Sequence, residues 1–182
     1  MTLIIRGEDH ISNTPKHILL FRALGAPVPA FAHLPLILNP DRTKISKRKL
    51  QTGVSAYRDQ GYVKEAIVNY LALLGWSPGT DEEVFSLAEL SERFELERVQ
   101  PSGAVFDLNR LEWLSGQWIR RLPDDELVDR ALPYLVGSVE RAATNGSAAR
   151  IPTAEDLAVL LPLVRERLPR LDAIGDLSLI HI

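Results

Sequence analysis

Cysteine is absent from this chain of 182 residues, which excludes disulfides and thiolate metal sites. No apolar run approaches the roughly 18 residues that a membrane-spanning helix needs, and no charged-then-apolar leader indicates export. Apolar residues make up 46% of the chain and charged residues 25%, values that are ordinary for a globular protein. We therefore expect a soluble, cytoplasmic protein with no membrane partner.

Positive charge is scarce in most of the chain but concentrated near its start. Residues 1–50 carry eight Lys and Arg against three Asp and Glu, whereas the remainder carries 13 against 21, within an overall net charge of −3. A local positive field indicates a polyanionic ligand, either phosphate or nucleic acid. Uniform basicity would have suggested nonspecific DNA coating, and we expect no DNA partner.

The positive charge is densest in the stretch NPDRTKISKRKL, which begins at Asn39. Five cationic side chains lie between Arg42 and Lys49, directly after a turn sequence. Pro40 holds Asn39 extended and Asp41 suits a turn, so we expect Arg42 to Lys49 to project as a mobile loop. Lysine ammonium groups on flexible stems suit a moving polyphosphate, but a solvated surface loop with no ligand would have the same composition.

A strand, a helix and a second strand are predicted before this loop. Residues 3–6 are a short β-branched run, and 33–38 read as a second strand with Pro35 at an edge or an end. Between them, Thr14 is predicted as an N-cap, with Pro15 at the first helical position and Gly25 as terminator. The three elements form a plausible right-handed parallel crossover whose ligands gather at the carboxyl ends of the strands.

After residue 55 the apolar pattern is helical almost throughout. One core-facing stripe is predicted at three-and-four spacing, comprising Val63, Ala66, Ile67, Tyr70, Leu71 and Leu74. Helix starts are predicted at a capping box from Ser86 to Glu89 and at Asp107, Asp124 and Thr153, with Pro162 and Pro169 interrupting the last helices. Residues 143–149 are predicted to form an exposed loop or a joint between subdomains.

Four ordered segments resemble one known family. KISKR is similar to the KMSKS signature of class I aminoacyl-tRNA synthetases, in the form found in bacterial-type glutamyl-tRNA synthetases. The segments that resemble this family in the same order are IIRGEDHISNTPKHILLFRALG, LPLILNPDRTKISKRK, EAIVNYLALLGWSP and FDLNRLEWLSGQWIR. The resemblance spans about residues 3–135, and four ordered segments are far more specific than one pentapeptide.

The resemblance implies a function and a set of site residues. Members of the family condense glutamate with ATP and pass the glutamyl group to the terminal adenosine of tRNA(Glu), acting as monomers on ATP with its Mg²⁺. Lys47 would bind the ATP phosphates and stabilise departing pyrophosphate, with Lys44 and Ser46 ordering the loop. The backbone groups of Leu36 and Ile37 would hold adenine. Arg6 would bind the amino acid, and Asp9 would face the nucleotide or the tRNA end. Arg48 and Lys49 would contact tRNA phosphate. A strand-end ion pair between Arg6 and Asp9 is the simpler alternative, and no protein metal site is expected.

The implied fold is mixed and mostly α. Residues 1–50 would be the carboxyl-side part of a Rossmann-type catalytic domain, 51–120 a helical stem-contact domain, and 121–176 the start of a helical anticodon-binding domain. Trp113 and Trp118 could serve as base-stacking platforms, but buried tryptophans in a helical core are more common. Residues 177–182, LSLIHI, resemble a translated sequencing adapter and are expected to be a non-native tail.

One departure from the family is the HIGH signature. HISN, at His10 to Asn13, is only superficially similar, because Ser12 occupies the glycine position where the nucleotide must approach closely. His10 is therefore expected to be a surface or supporting histidine. The HIGH-containing part is expected to be missing, so the chain alone should show no aminoacylation.

Two alternatives remain open. Within the same class, the chain could derive from a glutaminyl or nondiscriminating enzyme, or from a shortened paralogue that glutamylates a modified tRNA base. In a different class, it could be a noncatalytic tRNA-binding module. Loss of adenylate formation on replacing Lys47 would favour the enzyme, and loss of tRNA affinity alone would favour the module.

Overall fold

The computed structural model describes residues 1–45, 53–144 and 150–181. Its strands are β1 (Leu3–Gly7), β2 (Ala30–Leu34), β3 (Ile37–Leu38) and β4 (Ala104–Val105). Its α-helices are α1 (Thr14–Ala23), α2 (Val54–Asp59), α3 (Lys64–Leu73), α4 (Leu87–Arg93), α5 (Leu108–Arg121), α6 (Asp124–Thr144), α7 (Ala154–Val164) and α8 (Ile174–His181). Short 3₁₀ helices cover Glu8–Asn13, Leu96–Arg98, Arg165–Arg167 and Leu171–Ala173. None of these helices, over the residues described, is long and apolar enough to cross a membrane.

The predicted strand, helix and parallel strand are confirmed in the amino-terminal part. β1 pairs in parallel with β2, and the register places Arg6 directly opposite His33. The second predicted strand, residues 33–38, is wrong as a single unit. It is divided at Pro35, and β3 pairs instead with β4 in a separate two-stranded sheet. Pro35 has no N–H for a ladder, and the N–H of Leu36 donates instead to the Glu8 carboxylate at 3.2 Å.

Several helix starts lie where the sequence predicts them. Ser86 and Thr153 each begin a full capping box, and the side chain of Asp107 accepts a hydrogen bond from the N–H of Asn109. Thr14, however, is not the N-cap of α1. The 3₁₀ helix before it runs directly into α1, so Thr14 already has helical dihedrals and Asn13 is the cap position. Pro162 lies inside α7, which continues to Val164.

One apolar core joins helices α3, α5, α6, α7 and α8. Four residues of the predicted α3 stripe belong to it, namely Val63, Ala66, Ile67 and Tyr70. Leu71 does not, because 46% of its surface is exposed. A smaller cluster of Trp76, Phe85 and Leu90 closes the other side of α3. Leu74 is partly buried and packs against this core, so the stripe prediction is wrong only at Leu71.

The two tryptophans of α5 differ in environment. Trp118 is half-buried and donates its indole N–H to the side-chain oxygen of Asn69 at 3.1 Å. Asn69 is fully buried, accepts a second hydrogen bond from the N–H of Phe85 and donates to the Glu83 carbonyl. Trp118 is therefore a structural residue that ties α5 to α3. Trp113 is 46% exposed and does not fit the expectation of a buried tryptophan.

A half-buried ion pair links α3 to α6. Both terminal nitrogens of Arg130 donate to the two carboxylate oxygens of Glu65 at 2.9 Å, and Glu126 adds a further carboxylate. Burial alone would raise the pKa of Glu65. The hydrogen bonds from Arg130 and from the backbone, with the neighbouring positive charges, outweigh burial, so the pKa of Glu65 is lowered. The bidentate geometry should make this pair a net stabilising contact.

We predict that Arg130→Met lowers the free energy of unfolding by about 2 kcal/mol, because it leaves a half-buried carboxylate without its partner. A folded-state pKa below the unfolded value contributes stability above the unfolded pKa, and that stability is lost as the pH falls through the folded pKa. The deficit of Arg130→Met, measured by urea denaturation, should therefore be full at pH 7 and shrink on acidification below about pH 4. Arg58→Met, which removes an exposed pair with Asp59, is the matched control and should have little effect at either pH. A deficit that does not change with pH would contradict the assignment.

Candidate active site

Arg6 lies near the end of β1 with its guanidinium held from three sides. Its Nε donates to His33 Nε2 at 3.3 Å, its Nη1 contacts His17 Nδ1 at 2.8 Å, and its Nη2 donates to Thr14 Oγ1 at 2.5 Å. The guanidinium also stacks 5.0 Å from the centre of the Phe31 ring. β1, α1 and β2 each contribute to this arrangement. The alternative of an ion pair between Arg6 and Asp9 is not what the structure shows, since these donors go to two histidines and a threonine.

Asp9 pairs instead with the first lysine of the KISKR sequence. Its Oδ2 lies 3.7 Å from Lys44 Nζ, and the two side chains are 47% and 58% exposed. A Cβ on Gly7 would lie 2.5 Å from the other oxygen of this carboxylate, so glycine at that position gives Asp9 its room. An exposed pair at this distance contributes less than about 1 kcal/mol, so Lys44 can exchange Asp9 for another anion at little cost.

The segment from Asn39 to Ile45 is a defined turn that folds back on β3. Lys44 bridges antiparallel to Leu38, and the N–H of Ile45 donates to the Ile37 carbonyl at 3.3 Å. Asn39 is buried, and its side-chain amide donates to Thr43 Oγ1 and to the Lys44 carbonyl. The expectation of a mobile loop starting at Arg42 is therefore wrong for residues 42–45. The buried amide of Asn39 supplies hydrogen bonds that a projecting loop would lack.

The remaining residues assigned from sequence divide into two groups. Ser46, Lys47, Arg48 and Lys49 lie outside the described residues. Leu36 and Ile37 lie between β2 and the turn, where the Leu36 N–H is taken by Glu8 and Ile37 pairs with Ala104. Their assignment to adenine stays a prediction. Arg6 and Asp9 lie at the carboxyl end of β1, and Lys44, which follows β3 of the other sheet, reaches Asp9 there.

Helix α2 begins directly after residues 46–52 and is anchored to the helical core. Tyr57 packs edge-on against Tyr62, with 5.7 Å between the ring centres, and burial raises the pKa of both hydroxyls. An apolar cavity of about 140 Å³ lies beneath, and its walls include Ile45 and Val54. Ile45, directly before segment 46–52, and Val54, the second residue after it, therefore share one apolar cavity.

Sequence reasoning did not assign His17 and His33 to the site. The signal was available only indirectly, because a parallel crossover places the end of the second strand beside the end of the first. The exact register that sets His33 against Arg6 could not be read from composition. Thr14 was identified, but as a helix cap.

The architecture of a parallel crossover, followed by a lysine-bearing turn and a helical region, agrees with comparisons to known proteins. The family described as "tRNA synthetases class I (E and Q), catalytic domain" matches residues 1–113. The class is thus that of the class I tRNA synthetases. Within it, the chain belongs to the E and Q catalytic-domain family.

Individual relatives point in the same direction. The glutamate–tRNA ligase of Carboxydothermus hydrogenoformans is 46% identical over 164 residues, which are 90% of this chain and 33% of that protein. The glutamate–tRNA ligase of Aquifex aeolicus is 55% identical over 137 residues, which are 74% of this chain and 29% of that protein. The chain therefore spans about a third of the length of the curated relatives that it matches.

Solved structures resemble the chain over nearly its whole length. A crystal structure of a glutamate tRNA ligase from Elizabethkingia meningosepticum, in complex with its amino acid, gives a TM-score of 0.74 at 28% identity. The matched region covers 98% of this chain and 37% of the chain in that crystal structure. Glutamate-tRNA synthetase from Elizabethkingia anophelis gives a TM-score of 0.76 at 29% identity and covers 97% and 37%.

Proposed function

We propose that this chain is the carboxyl-side part of the catalytic unit of a glutamate–tRNA ligase, continued by part of its tRNA-binding helices. The observation that carries the proposal is the position of Lys44, the first lysine of KISKR, beside Asp9 at the strand end that also presents Arg6. The 46% identity to the Carboxydothermus hydrogenoformans ligase supports glutamate as the amino acid.

In the proposed first step, a glutamate carboxylate oxygen attacks the α-phosphorus of ATP. The bond from the α-phosphorus to the bridging oxygen breaks, and pyrophosphate leaves with the negative charge that develops on it. Lys47, which lies outside the described residues, would stabilise that charge together with Lys44, because fixed cations act most strongly where charge builds up in the transition state. Arg6 would bind a carboxylate of the substrate through its fork of N–H groups.

In the second step, a hydroxyl of the terminal adenosine of tRNA(Glu) takes the glutamyl group and releases AMP. Arg48 and Lys49 would contact tRNA phosphates near this end. Residues 51–120 would seat the inner corner of the tRNA, and residues 121–176 would begin the anticodon-binding region. Leu20 of α1 and Leu24 directly after it, which are 59% and 80% exposed, would contact the further catalytic segment of the full-length enzyme.

Mg²⁺ would enter with ATP, coordinated by the phosphates. Over the described ranges 1–45, 53–144 and 150–181, no three His, Asp or Glu side chains are grouped so that they could hold a metal ion. The nearest carboxylates, Glu8 and Asp9, already have partners in Leu36 and Lys44. An ion carried by the phosphates of its substrate is the usual mode for Mg²⁺ with nucleotides.

A chimeric enzyme tests the proposal directly. Residues 1–176 of this chain would replace the matching third of the Carboxydothermus hydrogenoformans relative, leaving the rest of that enzyme intact. We predict that the chimera attaches radiolabelled glutamate to tRNA(Glu) at a rate within about 10-fold of the parent. The reason is that it then contains every segment that the two catalytic steps need.

The same preparation separates the alternatives. Glutamine should be a poor substrate, and its efficient use would favour the glutaminyl alternative. A chimera that folds and binds tRNA(Glu) but forms no adenylate would favour a noncatalytic tRNA-binding module. The parent enzyme, assayed beside the chimera, shows that the substrates and tRNA are competent.

A further inference from the structure

The contacts of Arg6 impose a protonation state on the two histidines beside it. An arginine side chain can only donate hydrogen bonds, so each ring nitrogen that it contacts must present a lone pair. His33 contacts Arg6 through Nε2 and must carry its proton on Nδ1. His17 contacts Arg6 through Nδ1 and must carry its proton on Nε2. The two rings are therefore neutral and of opposite tautomer.

Thr14 completes the arrangement. Its Oγ1 accepts from Arg6 Nη2 at 2.5 Å and lies 2.9 Å from His33 Nε2 and 3.2 Å from the His10 carbonyl. The hydroxyl proton can go to either of those acceptors. Thr14 and His33 together occupy the Nε and Nη2 side of the guanidinium. Among the contacts between described residues, one N–H on each terminal nitrogen of Arg6 is left for an anion.

We propose that His33, His17 and Thr14 are positioning residues that hold the Arg6 guanidinium, and that they do so only while both imidazoles are uncharged. Protonation of either ring turns its acceptor nitrogen into a donor and places a second positive charge against Arg6. The other titratable groups on the surrounding elements are Glu8, Asp9 and His10 of the 3₁₀ helix and Lys16 and Arg22 of α1. The two carboxylates are engaged by Leu36 and Lys44, so neither compensates for a protonated histidine.

The inference about substrate rests on the proposed function, in which Arg6 binds a glutamate carboxylate. The positioning of Arg6 by the two histidines and Thr14 does not depend on the proposed function, because these hydrogen bonds are formed within residues 6–33. Protonation of either ring would release the side chain of Arg6 without unfolding the helical core. The site would then lose its oriented anion-binding group while the rest of the fold stays intact.

Long-range ¹H–¹⁵N NMR of the labelled 182-residue chain tests the proposal. At pH 8 we expect His33 as the Nδ1–H tautomer, His17 as the Nε2–H tautomer, and a slowly exchanging Nε–H signal for Arg6. Protonation of either ring should reduce the protection of that Nε–H at least about 10-fold, measured against the intrinsic exchange rate of an exposed arginine at the same pH. The same tautomer for both rings, or an Arg6 signal indifferent to their titration, would overturn the proposal.

Conservative variants separate positioning from simple packing. Gln at position 33 places an amide oxygen near the site of Nε2, and Asn at position 17 places one near Nδ1, so H33Q and H17N should preserve the slow Arg6 signal. H33L, H17L and T14V should lose it, whereas T14S should keep it. If H33Q, H17N and T14S lose the slow Arg6 signal as fully as H33L, H17L and T14V do, while circular dichroism shows that all of them fold, a hydrogen-bonding role is contradicted.

The link to the substrate is tested in the chimeric enzyme. H33L should raise the KM for glutamate at least about 10-fold with kcat nearly unchanged, and H33Q should restore it, because Arg6 binds glutamate equally in the ground and transition states. If the NMR results hold but the KM for glutamate does not move, the positioning role stands and the assignment of Arg6 to glutamate is wrong.

Discussion

Replacing Lys47 by alanine in the chimeric enzyme is expected to lower glutamate-dependent exchange between ATP and pyrophosphate by about 100-fold or more, which is the usual loss when a transition-state donor is removed. The assay is run with tRNA(Glu) present throughout. The effect should appear in kcat as well as in the KM for ATP. The reason is that the charge on departing pyrophosphate is larger in the transition state than on bound ATP.

The geometry of the described residues gives the reason for expecting so large an effect. Lys44 pairs with Leu38 through its backbone, and its ammonium lies 3.7 Å from Asp9 near the end of β1. Lys47 follows three residues later in the sequence, and Val54 begins the anchored helix α2. The described residues on both sides of 46–52 are thus held in place, and Lys44 lies close to the strand ends where ligands of such sheets bind.

Two control variants make the Lys47 experiment specific. Lys64→Ala removes a lysine whose side chain is 77% exposed at the start of α3 and should leave exchange within about 2-fold. Lys47→Arg keeps the positive charge and should retain more activity than Lys47→Ala. If Lys47→Ala reduced only the affinity for tRNA, the tRNA-binding module would be the better interpretation.

Features of the fold that depend on neighbouring residues could be predicted from the sequence. Ser86, Asp107 and Thr153 each lie directly before a helix, and their side chains reach backbone N–H groups two or three residues later. The α3 stripe was correct at five of its six positions for a similar reason, because helical periodicity is a local property. Even the parallel pairing of β1 and β2 followed from one short crossover.

Features that depend on contacts distant in sequence could not be predicted. The division at Pro35 requires β4, which lies about 70 residues further along the chain, as the partner of β3. The position of Arg42 to Ile45 depends on the buried side chain of Asn39, which looks like an ordinary turn residue in the sequence. The contact of Arg6 with His33 depends on strand register. Residue types alone suggested an ion pair between Arg6 and Asp9, which is the second carboxylate after Arg6 in the sequence.

Gly61, which links α2 to α3, should be the most sensitive position for stability. Its φ of +83° lies in the left-handed region, where a side chain is unfavourable. A Cβ at this position would lie against the backbone nitrogen of Asp172, closer than real Cβ atoms approach, and 3.0 Å from that of Leu171. The Gly61 carbonyl accepts the N–H of Leu171 at 2.8 Å, so the two segments cannot separate without losing a hydrogen bond.

Gly61→Ala is therefore expected to lower the free energy of unfolding by about 3 to 4 kcal/mol, measured by urea denaturation. Of this, about 1 kcal/mol comes from the left-handed backbone and the rest from overlap with residues 171–172. Gly25→Ala is the matched control, because Gly25 has a φ of +63° but a Cβ there meets nothing within 4 Å. It should cost about 1 kcal/mol, and Gly75→Ala, with neither constraint, less than about 0.5 kcal/mol.

The difference between Gly61→Ala and Gly25→Ala isolates the docking of α2 on the carboxyl-terminal helices. Equal costs for the two variants would mean that residues 171–172 move aside freely and that α2 is not anchored there. A large difference would mean that the carboxyl-terminal end of the lysine-bearing segment is held by a rigid support. The hydroxyl of Tyr134, which donates to the Arg58 carbonyl at 2.6 Å, provides a second attachment of α2 to the same helices. Tyr134→Phe should therefore add to the cost of Gly61→Ala by less than its separate effect, because both changes loosen one contact between α2 and the core.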